Sequence, residues 1–324
     1  MDARHGFPWQ AELRGISLEL RGRWIRSYGS RSLIRHADAV VCELAAGCID
    51  TYLSLLPRRP KRVGLWGHVG AYTSERTSVD ARMLRWLALR ADHVFAYTSS
   101  GALTAERWGV RAERITTVGN TTDGSSLLAE IQAVTPAEVS HFRAIHGAPE
   151  GTKVLAFIGG LDSSKRIDFL SAALDLVWAK DPTIKVLIGG RGPDSALLAN
   201  GVRRGQISLM GYVGEREKAL ISRIASYLLM PGRVGLIAVD SLRMQMPIVT
   251  TDWPFHAPEF EYLEPGATCV VTEDSPDAYA AALVELLHNG DQLDRVAMVA
   301  AAETLTIDRA AGAMTGGILS LLNA

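Results

Sequence analysis

The chain has little that would tie it to an oxidising compartment, a membrane interior or a metal ion. Its 324 residues include three cysteines, Cys42, Cys48 and Cys269, odd in number and without metal-ligand spacing, so they read as reduced, packed thiols. No run approaches the roughly 20 apolar residues that span a bilayer. The opening MDARHGFPWQ lacks the apolar core of a secretory signal, and a cytoplasmic protein is expected. No glycine loop runs into Gly-Lys-Ser/Thr, which excludes a Walker A motif, and no full GxGxxG occurs. A clear DxD pair for a nucleotide-bound cation is also missing, because Glu273-Asp274-Ser275 precedes a helical pattern and reads as an N-cap. No pair of facing carboxylates marks a glycoside hydrolase, and no repeat period suggests a solenoid.

What is present is an ordinary globular composition, 48% hydrophobic and 21% charged, with a length that suits two domains. The net charge of −1 is unevenly spread: residues 1–123 carry 18 basic against 12 acidic side chains, and residues 124–324 carry 16 against 23. Arg21, Arg23, Arg26, Arg31, Arg35 and PRRPKR at 57–62 account for much of the basic excess. It is either a solvated face or a surface for anionic lipid headgroups or an anionic acceptor. No nucleic-acid partner is expected.

Short β-branched runs alternate with helical patterns, the signature of βα units and parallel sheets. Strands are expected at 38–44, 62–68, 93–99 and 115–120, and again at 153–160, 184–190, 207–213, 226–230, 247–251 and 267–272. Helical patterns fall near 46–56, 79–91, 101–108, 166–180, 194–201, 215–225, 235–245, 276–304 and 306–322. The polar, Pro/Gly-punctuated stretch 135–152 reads as a linker between an N-terminal domain, 1–134, and a C-terminal one, 153–304. A last helix, 305–324, would pack back toward the N-terminal domain. The expected fold class is α/β, with two Rossmann-like doubly wound domains facing across a cleft, and ligands of such sheets bind outside the carboxyl ends of the strands.

Three Gly-bearing turns in the second half each follow a strand and precede a helix: Gly159-Gly160 with Lys165 beyond, IGGRGPD at 188–194, and PGRVGL at 231–236. Glycine lets backbone approach a ligand, and N–H groups at a helix start attract phosphate. Several such turns, one with a lysine, point to a phosphorylated ligand such as a nucleotide diphosphate. A helix starting at Gly235 would present bare N–H groups of Gly232, Arg233, Val234, Gly235 and Leu236 to it. Leu236, Val239, Leu242 and Met246 would hold that helix on its sheet, while Asp240 is either a helix-start acid or an acceptor for sugar hydroxyls. Trp66 reads as core, and His68 as a lone histidine at a strand end.

These residues resemble the retaining GT-B glycosyltransferases of family 4, closely over 153–288 and more loosely before. GGLDSSK keeps the family's lysine as Lys165 but has Gly160 in place of its arginine. In PGRVGLIAVDSLRMQMPIV, Gly235 and Leu236 match, Asp240 takes the family's second acid position, and Gly232 stands where the first acid would be. PEFEYLEPG at 258–266 and GNTTD at 119–123 look like further landmarks. The resemblance implies a metal-independent, cofactor-free hexosyltransferase that moves sugar from a nucleotide-sugar to a saccharide or lipid-linked acceptor with anomeric retention. It places the donor diphosphate at Gly159, Gly160, Lys165 and the 232–236 turn, the base near Gly211, Tyr212 and Val213, and His68 and Asp240 in catalysis. The short first domain, Gly160 and Gly232 keep two alternatives open: a degenerate protein that binds donor or a partner enzyme without transfer, and a nucleotide-sugar epimerase.

Overall fold

A computed structural model describes residues 13–20, 23–56, 62–70, 78–290 and 293–323. The chain divides into two compact units, Met1–Gly119 with Ala311–Ala324, and Asn120–Ala310. The division lies ahead of the expected linker at 135–152. That stretch forms a capped helix whose Phe142 is buried in the second unit's core.

In the first unit an antiparallel hairpin, β1 (Ile16–Leu20) and β2 (Arg23–Ser27), precedes α1 (Arg31–His36) and β3 (Ala39–Glu43). Then follow α2 (Ile49–Ser54), β4 (Arg62–Gly67), α3 (Ser78–Arg90), β5 (His93–Ala96), α4 (Ser99–Trp108) and β6 (Ile115–Thr117). Strands β3-β4-β5-β6 pair in parallel and in chain order. Val63, Leu65, Val94 and Phe95 are fully buried, as expected of parallel strands covered on both faces. A Cβ on Gly64 would come within 2.7 Å of the Phe95 ring, and one on Gly317 within 2.4 Å. The large aromatic therefore dictates both glycines, one of them in the small-residue run of the C-terminal helix. The Asp50 carboxylate joins α2 to the turn after β2, accepting from the N–H groups of Tyr28 at 2.7 Å and Ser30 at 3.0 Å and from the Ser30 hydroxyl. Burial alone would raise its pKa, but these hydrogen bonds outweigh burial and hold it below the usual carboxylate value.

The second unit begins with α5 (Ser125–Ala133) and α6 (Pro136–Ile145), then β7 (Val154–Ile158), α7 (Ile167–Lys180), β8 (Lys185–Gly189), α8 (Ala199–Arg203) and β9 (Ile207–Gly211). It continues through α9 (Glu215–Ser222), β10 (Tyr227–Leu229), α10 (Ile237–Met244), β11 (Ile248–Thr251), β12 (Cys269–Thr272), α11 (Pro276–Asn289) and α12 (Arg295–Thr304), and the long α13 (Ile307–Asn323) belongs from Ala311 onward to the first unit. The six parallel strands run β12-β11-β10-β7-β8-β9. The order reverses between β7 and β10, and such a reversal opens a crevice at the carboxyl ends of the two strands. Strands β7, β8, β10 and β11 are apolar and almost wholly buried, and α7 covers them with Ile167, Leu170, Leu174 and Val177. Helix α6 starts at a capping box in which the Thr135 hydroxyl accepts from Glu138 N and the Glu138 carboxylate accepts from Thr135 N at 2.9 Å.

GISLEL, 15–20, contributes β1 to the separate β1–β2 hairpin, whose Arg26 bridges to Cys48 at the start of α2. One expectation differs from this fold. The helix near 194–201 is a 3₁₀ segment, Pro193–Leu198, leading into α8. Of the basic excess, Arg21 and residues 57–61 lie outside the described residues.

Arg243 is a buried cation of α10 that holds the 119–124 turn and the end of α12. Its guanidinium donates to the Thr122 hydroxyl and carbonyl at 2.8 Å and to the Leu305 carbonyl at 3.0 Å, and lies 3.6 Å from Asp240. Removing one member of such a buried network leaves several acceptors unpaired. Arg243→Leu is expected to destabilise the second unit by about 3 kcal/mol, measured as the shift of its urea transition.

Candidate functional site

The strand-order reversal puts the turn after β7 beside the turn after β10. In the first, Gly159 and Gly160 lead to a 3₁₀ segment, Ser163–Lys165, capped by Asp162, whose carboxylate accepts from Ser164 N at 2.9 Å. Arg166 then takes a left-handed conformation, φ 55°, and starts α7. In the second, Pro231 to Gly235 lead into α10, which begins at Ile237, not at Gly235.

The two turns are in backbone contact. Arg233 N donates to Ser164 O at 2.9 Å, and the Lys165 ammonium donates to the Arg233 carbonyl. A Cβ on Gly232 would lie 2.6 Å from Ser164 O and 2.7 Å from Lys165 Cα. No side chain fits there, so an acid at this position is sterically incompatible with this arrangement. Gly190 and Gly192 have the same origin: a Cβ would come within 1.8 Å of Gly159 O and 2.1 Å of Leu161 O. At these three positions glycine serves backbone packing between turns. Gly159 and Gly160 differ. A Cβ on the former would meet only ordinary contacts, Phe157 at 3.5 Å and Lys165 at 3.6 Å, and on the latter the Asp162 carboxylate at 2.6 Å.

The N–H groups of Gly159, Leu161, Arg233 and Val234 are used within the protein, by Gly189 O, Arg191 O, Ser164 O and His256 Nδ1. Among the described residues, those of Gly160, Gly235 and Leu236 have no protein acceptor. The Arg233 side chain is half-buried and engages the protein through Nε alone, on Phe255 O at 3.3 Å. Arg166, by contrast, is committed: it pairs with Asp274, donates to Pro231 O at 3.2 Å, and stacks 4.4 Å above Phe169. Burial and the Arg233 charge lower the Lys165 pKa, against the pull of Asp162 and Glu259. The crevice thus offers free N–H groups beside a guanidinium and an ammonium, a donor set suited to an anion with several oxygens.

The other predicted residues fall as follows. Gly211, at φ 71°, ends β9, and its carbonyl accepts from Gly190 N at 2.6 Å. Tyr212 is 78% exposed, while Val213 and Val234 are core residues. Asp240 lies in the first turn of α10, with its carboxylate held by Lys218 at 2.9 Å and close to Arg243. Val239, Leu242 and Met246 are buried as expected, but Leu236 is 39% exposed because it precedes the helix as its N-cap residue. His68 follows β4 in the first unit, exposed and edge-on to Tyr97 at 4.4 Å. Trp66, expected in the core, is 38% exposed beside the same tyrosine. Ser275 caps α11 as expected.

Sequence reasoning missed three contributors. Glu259 is a buried acid in the Pro258–Tyr262 segment, accepting from Asn120 Nδ2 at 2.5 Å. His256 and Arg166 were not singled out either. For Glu259 the signal was an acid directly after the proline of a landmark motif; for the other two the sequence carries none.

This is the architecture of an α/β protein with two Rossmann-like units and a strand-order switch point in the second. The chain has the GT-B fold, and residues 152–289 match the family Glycosyl transferases group 1. Over 155 residues it is 28% identical to a phosphatidyl-myo-inositol mannosyltransferase of Mycolicibacterium smegmatis, covering 46% of this chain and 39% of that protein's length. Among solved structures it resembles Anabaena Alr3699/HepE in complex with UDP and glucose, TM-score 0.67 at 16% identity over 90% of this chain and 80% of that one. It also resembles the lipopolysaccharide outer core galactosyltransferase WaaB, TM-score 0.62 at 15% identity over 90% and 78%.

Gly232→Ala should cost about 1–3 kcal/mol of stability through overpacking against fixed backbone, whereas Gly159→Ala should leave the thermal midpoint close to that of the unaltered protein. Differential scanning calorimetry of both variants checks the contrast.

Proposed function

We propose that the chain is a hexosyl-type glycosyltransferase that moves a sugar from a nucleotide-sugar donor to a saccharide or lipid-linked acceptor, with the donor on the second unit. The observation that carries this reading is the junction of the β7 and β10 turns, where Lys165 ties together two segments that present unpaired N–H groups and Arg233. The diphosphate belongs at Gly160, Arg233, Gly235 and Leu236, with Lys165 beside it. As the glycosidic bond to the donor breaks, negative charge grows on the diphosphate. Fixed N–H dipoles and the two cations stabilise that charge without a divalent ion. The base then lies toward Gly211, Tyr212 and Val213, beyond β8 in the strand order. Retention of anomeric configuration, as the family resemblance implies, is part of the proposal. Support comes from the family match over 152–289 and from relatives whose names record a mannosyltransferase and a complex with UDP-glucose.

Asp240 enters this scheme differently from a free sugar-binding acid. Its carboxylate already accepts from Lys218, so a sugar or ribose hydroxyl would share it with an ammonium. His68 is assigned to the reaction and not to donor binding.

The test is a panel of nucleotide-sugars, with release of nucleoside diphosphate followed with and without acceptor. Acceptor-stimulated release is expected, and Lys165→Ala should weaken donor affinity at least about tenfold, the loss of one charge-assisted contact. His68→Ala should lower turnover at unchanged nucleotide affinity. Binding without release would favour the degenerate reading, and a changed sugar still attached to its nucleotide the epimerase. Unchanged donor affinity in Lys165→Ala would reject the diphosphate site.

Peripheral contact with an anionic membrane is proposed for the first unit. The β1–β2 hairpin exposes Ile16 at 75% and Leu18 at 59% on one strand face, with Arg14, Arg26, Arg31 and Arg35 exposed nearby in sequence. Among the described residues no helix is long and apolar enough to cross a membrane. Association with phosphatidylglycerol vesicles should be measurable by flotation at low salt and be lost at about 0.5 M salt; no association at low salt would reject it.

A further inference from the structure

His256 has both ring nitrogens committed, and their partners fix its protonation state. Nδ1 lies 3.2 Å from the N–H of Val234, which can only donate, so Nδ1 is bare. Nε2 lies 3.0 Å from the carbonyl of Thr251, which can only accept, so Nε2 carries the proton. The ring is buried and lies against Phe260, centroids 4.2 Å apart, with Trp253 edge-on at 6.0 Å. Val234 is tied a second time to the same segment, its carbonyl accepting from Ala257 N at 2.9 Å. The Thr251 hydroxyl adds a bond to Pro231 O at 3.2 Å. The turn whose Gly235 and Leu236 amides remain free is therefore gripped one residue earlier, at Val234, and the grip runs through an imidazole.

We infer that neutral His256 is a positioning residue that latches the 232–236 turn in its anion-receiving conformation and releases it when protonated. The inference rests on the reading of that turn as part of a diphosphate site. A second proton has one place to go, Nδ1, where it would confront the Val234 N–H donor head-on. The charged groups around the ring act in the same sense. Lys165 and Arg166 act on it from the β7 turn and Arg233 from the β10 turn, while the acid Glu259 acts on Lys165 and Asp274 pairs with Arg166. Burial and these three cations keep the imidazole's pKa below its ordinary value, against the hydrogen bond to Thr251. The latch is thus engaged at neutral pH and opens as the pH falls through that lowered pKa. Tightness of the turn then becomes a function of pH through a side chain that need not touch the ligand.

Two substitutions separate the latch from mere packing. His256→Asn keeps an acceptor near the Nδ1 position, while His256→Phe keeps an aromatic ring against Phe260 and loses both hydrogen bonds. Amide hydrogen exchange of the full chain without ligand should show the protection of the Val234 amide about tenfold lower in His256→Phe and retained in His256→Asn. Binding of UDP and of GDP, measured by calorimetry at pH 7.5 and 5.5, should weaken by a larger factor at the lower pH in the unaltered protein than in His256→Asn, whose amide does not titrate. The ligands' own protonation is common to both proteins and cancels in the comparison. Equal Val234 protection in the two variants, or an undiminished pH effect in His256→Asn, overturns the latch. Should neither nucleotide bind any form, the diphosphate reading falls, and the exchange result still decides the latch.

Discussion

The candidate site depends on one close approach, the backbone of the β10 turn lying directly on that of the β7 turn. Gly232 allows it because nothing larger than hydrogen fits over Ser164 and Lys165. The Lys165 ammonium secures it by donating to the Arg233 carbonyl. Strand order makes it possible, since β7 and β10 are neighbours at the point where the sheet reverses. The amides of Gly160, Gly235 and Leu236, without a protein acceptor among the described residues, belong to the two turns that this contact joins.

Charge in this region is distributed by commitment. Three cations converge, but Arg166 is neutralised by Asp274 and packed on aromatic rings, and Lys165 does structural duty through a carbonyl. Arg233, with terminal nitrogens unengaged by the protein, has the most capacity left for an incoming anion. The resemblance to family 4 glycosyltransferases places an arginine where Gly160 stands, and in this chain the guanidinium of Arg233 lies on the neighbouring turn. Asp240 is the counterpart on the acidic side: its ion pairs with Lys218 and Arg243 integrate α10 with α9 and with the 119–124 turn.

The alternation of β-branched runs and helical patterns carried the fold. All ten expected strands exist within a residue or three of their expected ends, because parallel strands buried on both faces leave continuous apolar runs in the sequence. The hairpin was legible only in its first strand, since Arg-Trp-Ile-Arg-Ser offers no clean alternation. The Pro/Gly punctuation of 135–152 looks the same whether the helix between is a tether or, as Phe142 shows, packed in a core. At the site, the letters Gly232, Gly190 and Gly192 were visible, but not their reason. Glycine for ligand access and glycine for backbone contact are identical in sequence, and only the Cβ distances separate them. Trp66 and Leu236 look apolar enough for burial, yet each sits at the open end of a strand or helix. The Lys218–Asp240 pair joins residues 22 apart on different helices, and no local pattern announces it.

The most direct test of the central claim is a crystal structure of the protein with a bound nucleoside diphosphate. The account predicts phosphate oxygens within hydrogen-bond distance of the Gly160, Gly235 and Leu236 amides and of the Arg233 guanidinium, with the Lys165 ammonium alongside. Phosphates bound elsewhere on the second unit, with those amides facing only water, would contradict it.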